Sequence, residues 1–366
     1  MPRRFALPIT LVLFALLLAV GVVWRTDPRP DAVEPLVLDY VSPRGYVCYR
    51  AAGPVTIDGK LDDPAWKDIP WSDDFVDIEG DAKPKPRYRT RVKMMWDDEN
   101  LYIGAELQEP HLQASFTRHD SFIFYQDHDF EVFLDPDGDN HLYAELEMNA
   151  LNTTWDLLLA KPYRDGGPAI HAWEIAGLKT AVHLDGTLND PSDTDRGWTV
   201  EIAWPFRGLK EIAPSAVPPV AGRQWRINFS RVELEFEVAA GKYRKVPDRE
   251  QNWVWSPQGV VNMHMPERWG YVQFSMAKPG VDSFRPDPAA PARAVLMRIY
   301  EAQQQYRKDH GTYAATLAEL GLRGLTHPSL DGTPRLETMS DSFDASVPHG
   351  GTRWHVRNDS RVWKDE

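Results

Sequence analysis

The strongest constraint on this chain is a two-residue alternation of apolar and polar side chains that recurs in short segments. From Asp129 to Asp135, and again from Leu142 to Asn149, the pattern is that of a half-buried strand, whose successive side chains point to opposite faces. Phe130, Val132 and Leu134 share one face, and Leu142, Ala144, Leu146 and Met148 oppose them across a turn at Asp137-Gly138-Asp139-Asn140. That face reads as core. The other face carries Asp129, Glu131, Tyr143, Glu145, Glu147 and Asn149, with Tyr125 before the hairpin and Trp155 after it. Carboxylates, an amide and aromatic rings on one sheet face suit a ligand rich in hydroxyls and flat apolar ring faces.

The same grammar recurs along the chain. Thr90, Val92, Met94 and Trp96 alternate, a turn follows at Asp97 to Asn100, and Leu101, Ile103, Ala105 and Leu107 line the next strand. Trp198, Val200, Ile202 and Trp204 form another set, and Trp225, Ile227 and Phe229 another. The apolar phase then shifts to Val232, Leu234 and Phe236, which predicts a bulge near Arg231. With Gly270 to Ser275 as a last strand and no sustained helical period before residue 290, the reading is all-β. It is an antiparallel β-sandwich of jelly-roll type over residues 46–276. A linker (277–291) leads to a small α+β unit (292–366). Its helix, Arg293 to His310, carries the stripe Val295, Ile299, Ala302 and Tyr306 and stops at Gly311. GTYAATLAELGL is read as a helical turn, and Thr352 to Trp363 as a strand pair.

Residues 1–24 contain an uncharged apolar run from Phe5 to Trp24, preceded by Arg3 and Arg4. About 20 apolar residues match a bilayer core and exceed an ordinary signal-peptide core, so a retained transmembrane anchor is read ahead of a removed signal peptide. The paired arginines keep the N-terminus inside and put the rest in the periplasm or on the cell surface, secreted if the segment is cleaved. Residues 25–45, rich in proline and charge, read as a tether. The net charge of -13 argues against nucleic acid as a partner. Cys48 stands alone, so an internal disulfide is excluded.

Taken in order, the segments IDGKLDDPAW, WDDENLYIGAEL, DFEVFLDPDGDNHLYAELEMN, GWTVEIAWP, WRINFSR and WSPQGVVNMHMPERWGYVQF resemble the family 9 carbohydrate-binding module. That family is a member of the DOMON-like β-sandwich group. The resemblance implies binding of cellulose, xylan or oligosaccharide, a structural calcium ion, and work beside glycan-degrading enzymes. The family's first clamp aromatic falls on Tyr125, its glutamate on Glu131, and its polar partners on Glu147 and Asn149. Its second clamp tryptophan falls on Met263, between Asn262 and His264. Met is a poorer stacking platform, which turns attention to Trp155, Trp173 and Trp253. The loop from Leu151 to Trp173 adds Asp156, Tyr163 and Arg164. The expected ligand set is therefore Tyr125, Glu131, Glu147, Asn149, Trp155, Asp156, Arg164, Asn262 and His264.

Other chemistries compete for the same residues. Asp135, Asp137 and Asp139 have the spacing of a calcium loop, but the glycine is fourth instead of sixth and no glutamate is twelfth, which leaves an ordinary hairpin turn as the competing reading. His111, His119, His128, His141, His171 and His264 lack the paired helical spacing of a zinc site, and only His264 is kept. No catalytic residue is assigned, although a glycoside-processing enzyme is one alternative. Asp129 and Glu131 would sit side by side, roughly 6.5–7 Å apart, instead of flanking a bond. A haem-binding DOMON-like electron carrier is the other, using Met148 or Met263; Met148 has core phase, and no haem is expected. The C-terminal unit resembles the soluble part of a pseudopilin, with a packing appendage on the sandwich as the alternative.

Overall fold

The computed structural model describes residues 34–365. Each alternating segment forms a strand, and three further strands join them, one of them β6, which corrects the reading of Leu151 to Trp173 as a loop: β1 (Gly45–Arg50), β2 (Thr90–Trp96), β3 (Asn100–Gln108), β4 (Asp129–Asp135), β5 (Tyr143–Asn149), β6 (Thr154–Leu159), β7 (Lys179–Asp185), β8 (Gly197–Pro205), β9 (Gln224–Glu233) and β10 (Gly270–Ser275). They pair in the order β7-β8-β3-β2-β1-β10-β9-β4-β5-β6, curling into a sandwich. The pairings are antiparallel except those of β1, which runs parallel to both β10 and β2. A parallel pair needs a long connection, and β1 has one on each side: residues 51–89 lead to β2, and most of the domain separates it from β10. The purely antiparallel expectation is corrected at this strand alone.

The core collects the predicted faces, including Val92, Met94, Ile103, Phe130, Val132, Leu146, Val200, Ile227 and Phe229. Two details differ. Leu142 is exposed and precedes β5, in which Ala144, Leu146 and Met148 oppose Leu134, Val132 and Phe130. No bulge interrupts β9. Arg231 takes the inward place after Phe229, fully buried and bridging Glu109 at 2.6 Å and Glu233 at 2.7 Å, so the change of apolar phase marks a buried ion pair.

The C-terminal part builds helix α1 (Ala290–His310) against a four-stranded antiparallel sheet of β11 (Arg335–Thr338), β12 (Phe343–His349), β13 (Thr352–Arg357) and β14 (Val362–Lys364). Gly311 ends the helix in the left-handed region at φ 78°. The buried stripe is Val295, Leu296, Ile299, Tyr300 and Gln303, while Ala302 and Tyr306 are half-buried. The GTYAATLAELGL segment forms turns. Polar contacts tie this part to the sandwich. Tyr300 donates to Asp165 at 2.5 Å, Arg268 pairs with Glu301 at 2.9 Å, and Arg361 pairs with Asp139 at 3.0 Å. Leu36–Val37, in the middle of the segment read as a tether, pairs in parallel with Leu325–Thr326. No helix among the described residues is long and apolar enough to cross a membrane, and the Phe5 to Trp24 segment lies outside them.

Candidate functional site

The polar face of the β4–β5 hairpin is covered by loops instead of solvent. Asp129, Glu131, Glu145, Glu147 and Asn149 are each at most 4% exposed. Strand register sets the pattern: Glu131 faces Glu147, Phe133 faces Glu145, and Trp155 on β6 faces Glu147 from the other side. Above Glu131, Glu145 and Glu147 opens a cavity of about 320 Å³, walled by Phe124, Tyr125, Trp155, Tyr163, Met263 and His264. A larger cleft of about 540 Å³ lies between the sandwich and α1, but it holds none of these carboxylates.

Burial dominates the electrostatics of the floor. It pushes Glu131 up to about 7, with the neighbouring Ser230 hydroxyl acting in the opposite direction. Glu145 and Glu147 are raised well above the usual carboxylate range by burial and then by repulsion from their neighbours, and Asp129 likewise. Asp129 Oδ2, Glu145 Oε2 and Glu147 Oε2 are buried without a hydrogen-bond partner in the protein. A buried acceptor left unpaired is costly, so three together are a feature to be explained.

The walls combine a tilted aromatic pair with a fixed histidine. Tyr125, 43% exposed, lies against Phe124 with ring centroids 3.7 Å apart. Its φ of 63° is in the left-handed region, and its carbonyl accepts from Lys245. Opposite, His264 is held down to about 4 by burial and is therefore neutral, with Tyr143 Oη 3.0 Å from its Nδ1 and the Tyr163 ring edge-on at 4.5 Å. Asn262 accepts from the His264 amide at 2.9 Å, and the Met263 carbonyl accepts from Trp269 Nε1 at 2.7 Å. Trp155 stacks on His171 at 5.6 Å and is only 6% exposed, so it serves as a wall more than as an open platform.

Six of the expected residues thus meet at one cavity: Tyr125, Glu131, Glu147, Trp155, Asn262 and His264. Three lie elsewhere. Asn149 spends its amide on structure, donating to Phe116 O and Asp127 at 2.9 Å and accepting from the amides of Leu151 and Thr153 at 3.0 Å. Asp156 accepts from the Ile175 amide at 2.5 Å. Arg164 forms a fork with Glu267 at 2.6 and 2.9 Å and lies over the Tyr300 ring. Sequence reasoning left Glu145, Phe124 and Tyr163 out of the ligand set. Glu145 shares the phase of Glu147 and was legible on that ground, whereas Phe124 and Tyr163 come from irregular loops that carry no periodic signal.

The acidic turn brings one carboxylate oxygen each of Asp135, Asp137 and Asp139 within 4.8 Å of one another, but two of these residues are already engaged. Both Asp135 oxygens accept backbone amides, from Gly138 at 2.9 Å and Asn140 at 3.0 Å, while Asp139 accepts from the His141 amide and pairs with Arg361. These are the bonds of a hairpin turn, with a guanidinium where a cation would compete. Met148 is fully buried in the inter-sheet core, on the face opposite the cavity.

Residues 57–275 match the family model described as carbohydrate family 9 binding domain-like. Among solved structures, similarity is found to a carbohydrate-binding module family 9 from Caldicellulosiruptor kristjanssonii in complex with cellotriose, at 18% identity over 66% of this chain and 100% of that one, with a TM-score of 0.39. The glucose complex of a family 9 module from the same organism gives 18% identity, 65% and 100% coverage, and a TM-score of 0.38. A protein from Bacteroides uniformis gives 15% identity, 64% and 100% coverage, and a TM-score of 0.47. No curated protein matches the chain.

Proposed function

Because the chain belongs to the carbohydrate family 9 binding domain-like family, we propose that it binds a saccharide in the cavity floored by Glu131, Glu145 and Glu147. The observation that carries this reading is the meeting, in one cavity, of aromatic walls with buried carboxylate oxygens that lack protein partners. A sugar ring supplies both complements. Its C–H face covers Tyr125, and its hydroxyls donate to Glu145 Oε2 and Glu147 Oε2, buried oxygens that otherwise lack a protein partner. At about 320 Å³ the cavity is at the small end of ligand pockets, matching a chain end better than the middle of a fibre. Binding is favoured over hydrolysis because the carboxylates share one floor instead of flanking a bond. We further propose that the protein works outside the cytoplasm, held by the Phe5 to Trp24 segment, as an accessory to glycan-degrading enzymes. The apolar run after Arg3 and Arg4 supports that placement.

Calorimetric titration with glucose and cellotriose tests the binding reading. Saturable binding is expected, weakened about tenfold or more by Tyr125→Ala and by Glu147→Ala without a fall in Tm. Absence of binding, or full affinity in both variants, overturns it.

A further inference from the structure

We propose that the cavity selects an amino sugar, a ring whose protonated amine supplies the positive charge that the floor lacks; this rests on the saccharide-binding reading above. Asp129, Glu131 and Glu147 each bring a carboxylate oxygen within 4.8 Å of the others, and Glu145 extends the group along β5. Among the described residues, none of the four forms an ion pair or hydrogen bond with a lysine or arginine, and neither residue type lines the cavity. The nearby cations are committed elsewhere. Lys245 pairs with Glu250 at 2.6 Å, Arg164 with Glu267 at 2.6 Å, and Arg226 donates to the Trp269 carbonyl at 2.6 Å while lying over the Tyr271 ring.

Burial and mutual repulsion keep protons on these carboxyls while the site is empty, and a bound cation is what lets them ionise and become acceptors only. The unpartnered Glu145 Oε2 and Glu147 Oε2, with Asp129 Oδ2 beside them and Ser230 Oγ also unpartnered, therefore ask for a donor-rich group. A hydroxyl answers with one proton and no charge. An ammonium answers with three donors and a full positive charge, in a site where burial makes an uncompensated carboxylate expensive. The rings of Phe124, Tyr125 and Trp155 add faces that attract a cation. A divalent cation on the same oxygens is the competing occupant, and the test separates it.

The trimer of glucosamine differs from cellotriose only in carrying an amine where cellotriose has a hydroxyl at C2. Both are titrated into the full chain near pH 7, where the amine keeps much of its proton and Glu131 begins to lose its own, and calcium chloride is titrated alone. The amino trimer is expected to bind about tenfold tighter or more, with the preference collapsing to within about twofold in Glu147→Gln and Glu145→Gln, which keep shape and remove charge. Equal or tighter binding of cellotriose overturns the inference and leaves saccharide binding standing. Failure of both trimers sinks both readings. Saturable calcium binding that is lost in Glu147→Gln, without an amine preference, overturns the amino-sugar assignment in favour of a metal.

Discussion

Glu147 and Asn149 lie two residues apart on the same face of one strand, yet one presents a free oxygen to a cavity and the other is saturated by four hydrogen bonds. Alternation reports which face a side chain occupies, but not whether a loop has already claimed it. Asn149 is claimed by Phe116, Asp127, Leu151 and Thr153, none of which is periodic with it. Asn149→Ala should therefore lower stability by about 2–3 kcal/mol in a denaturant titration, because it strands buried partners. An unchanged midpoint would mean that those bonds do not hold the loops. The floor carries a pH signature of its own. Glu131 in the folded protein keeps its proton up to about 7, whereas the unfolded chain loses it near the ordinary 4.5. Between those values the native state binds more protons, so stability declines as pH rises through this window. Tm of the ligand-free protein, relative to Glu131→Gln, should fall from about pH 4.5 to about pH 7. A difference that is flat or rises would contradict the burial of this group.

The strands were legible because each buried face repeats every two residues, and the β4–β5 register follows from the same phase. Pairing partners distant in sequence were not. Nothing in the alternation of β1 says that it runs parallel to β10 and β2, since direction is set by connections instead of by face. The phase shift at Arg231 was visible, but its cause was a buried arginine between Glu109 and Glu233 and not an extra residue. The acidic turn at Asp135 likewise had the composition of a cation loop. Its bonds to Gly138 and Asn140, and the approach of Arg361 from β13–β14, make it a hairpin turn and a docking point. In α1, Val295 and Ile299 of the expected stripe are buried, and the buried face widens to Leu296, Tyr300 and Gln303, with Tyr300 reaching Asp165 of the sandwich and Gln303 accepting from the Ala314 amide.

At the scale of the molecule, the sandwich and the C-terminal part form one compact unit from Pro35 to Glu366. Sequence separated them at a proline-rich linker, and the contacts of Tyr300, Arg268 and Arg361 that join them are single polar residues with no pattern to betray them. Deletion of residues 285–366 should lower the Tm of the sandwich by several degrees, by uncovering Asp165 and Asn140, and the intact chain should melt in one transition. Separate transitions in the intact chain, or an unchanged Tm in the truncated one, would make the C-terminal part an independent module. The central claim concerns the cavity, and a crystal structure of the protein soaked with cellotriose addresses it most directly. The predicted result is a sugar ring against Tyr125 with a hydroxyl about 3 Å from Glu147 Oε2. Sugar bound only in the cleft beside α1, with the carboxylate floor untouched, would contradict the account.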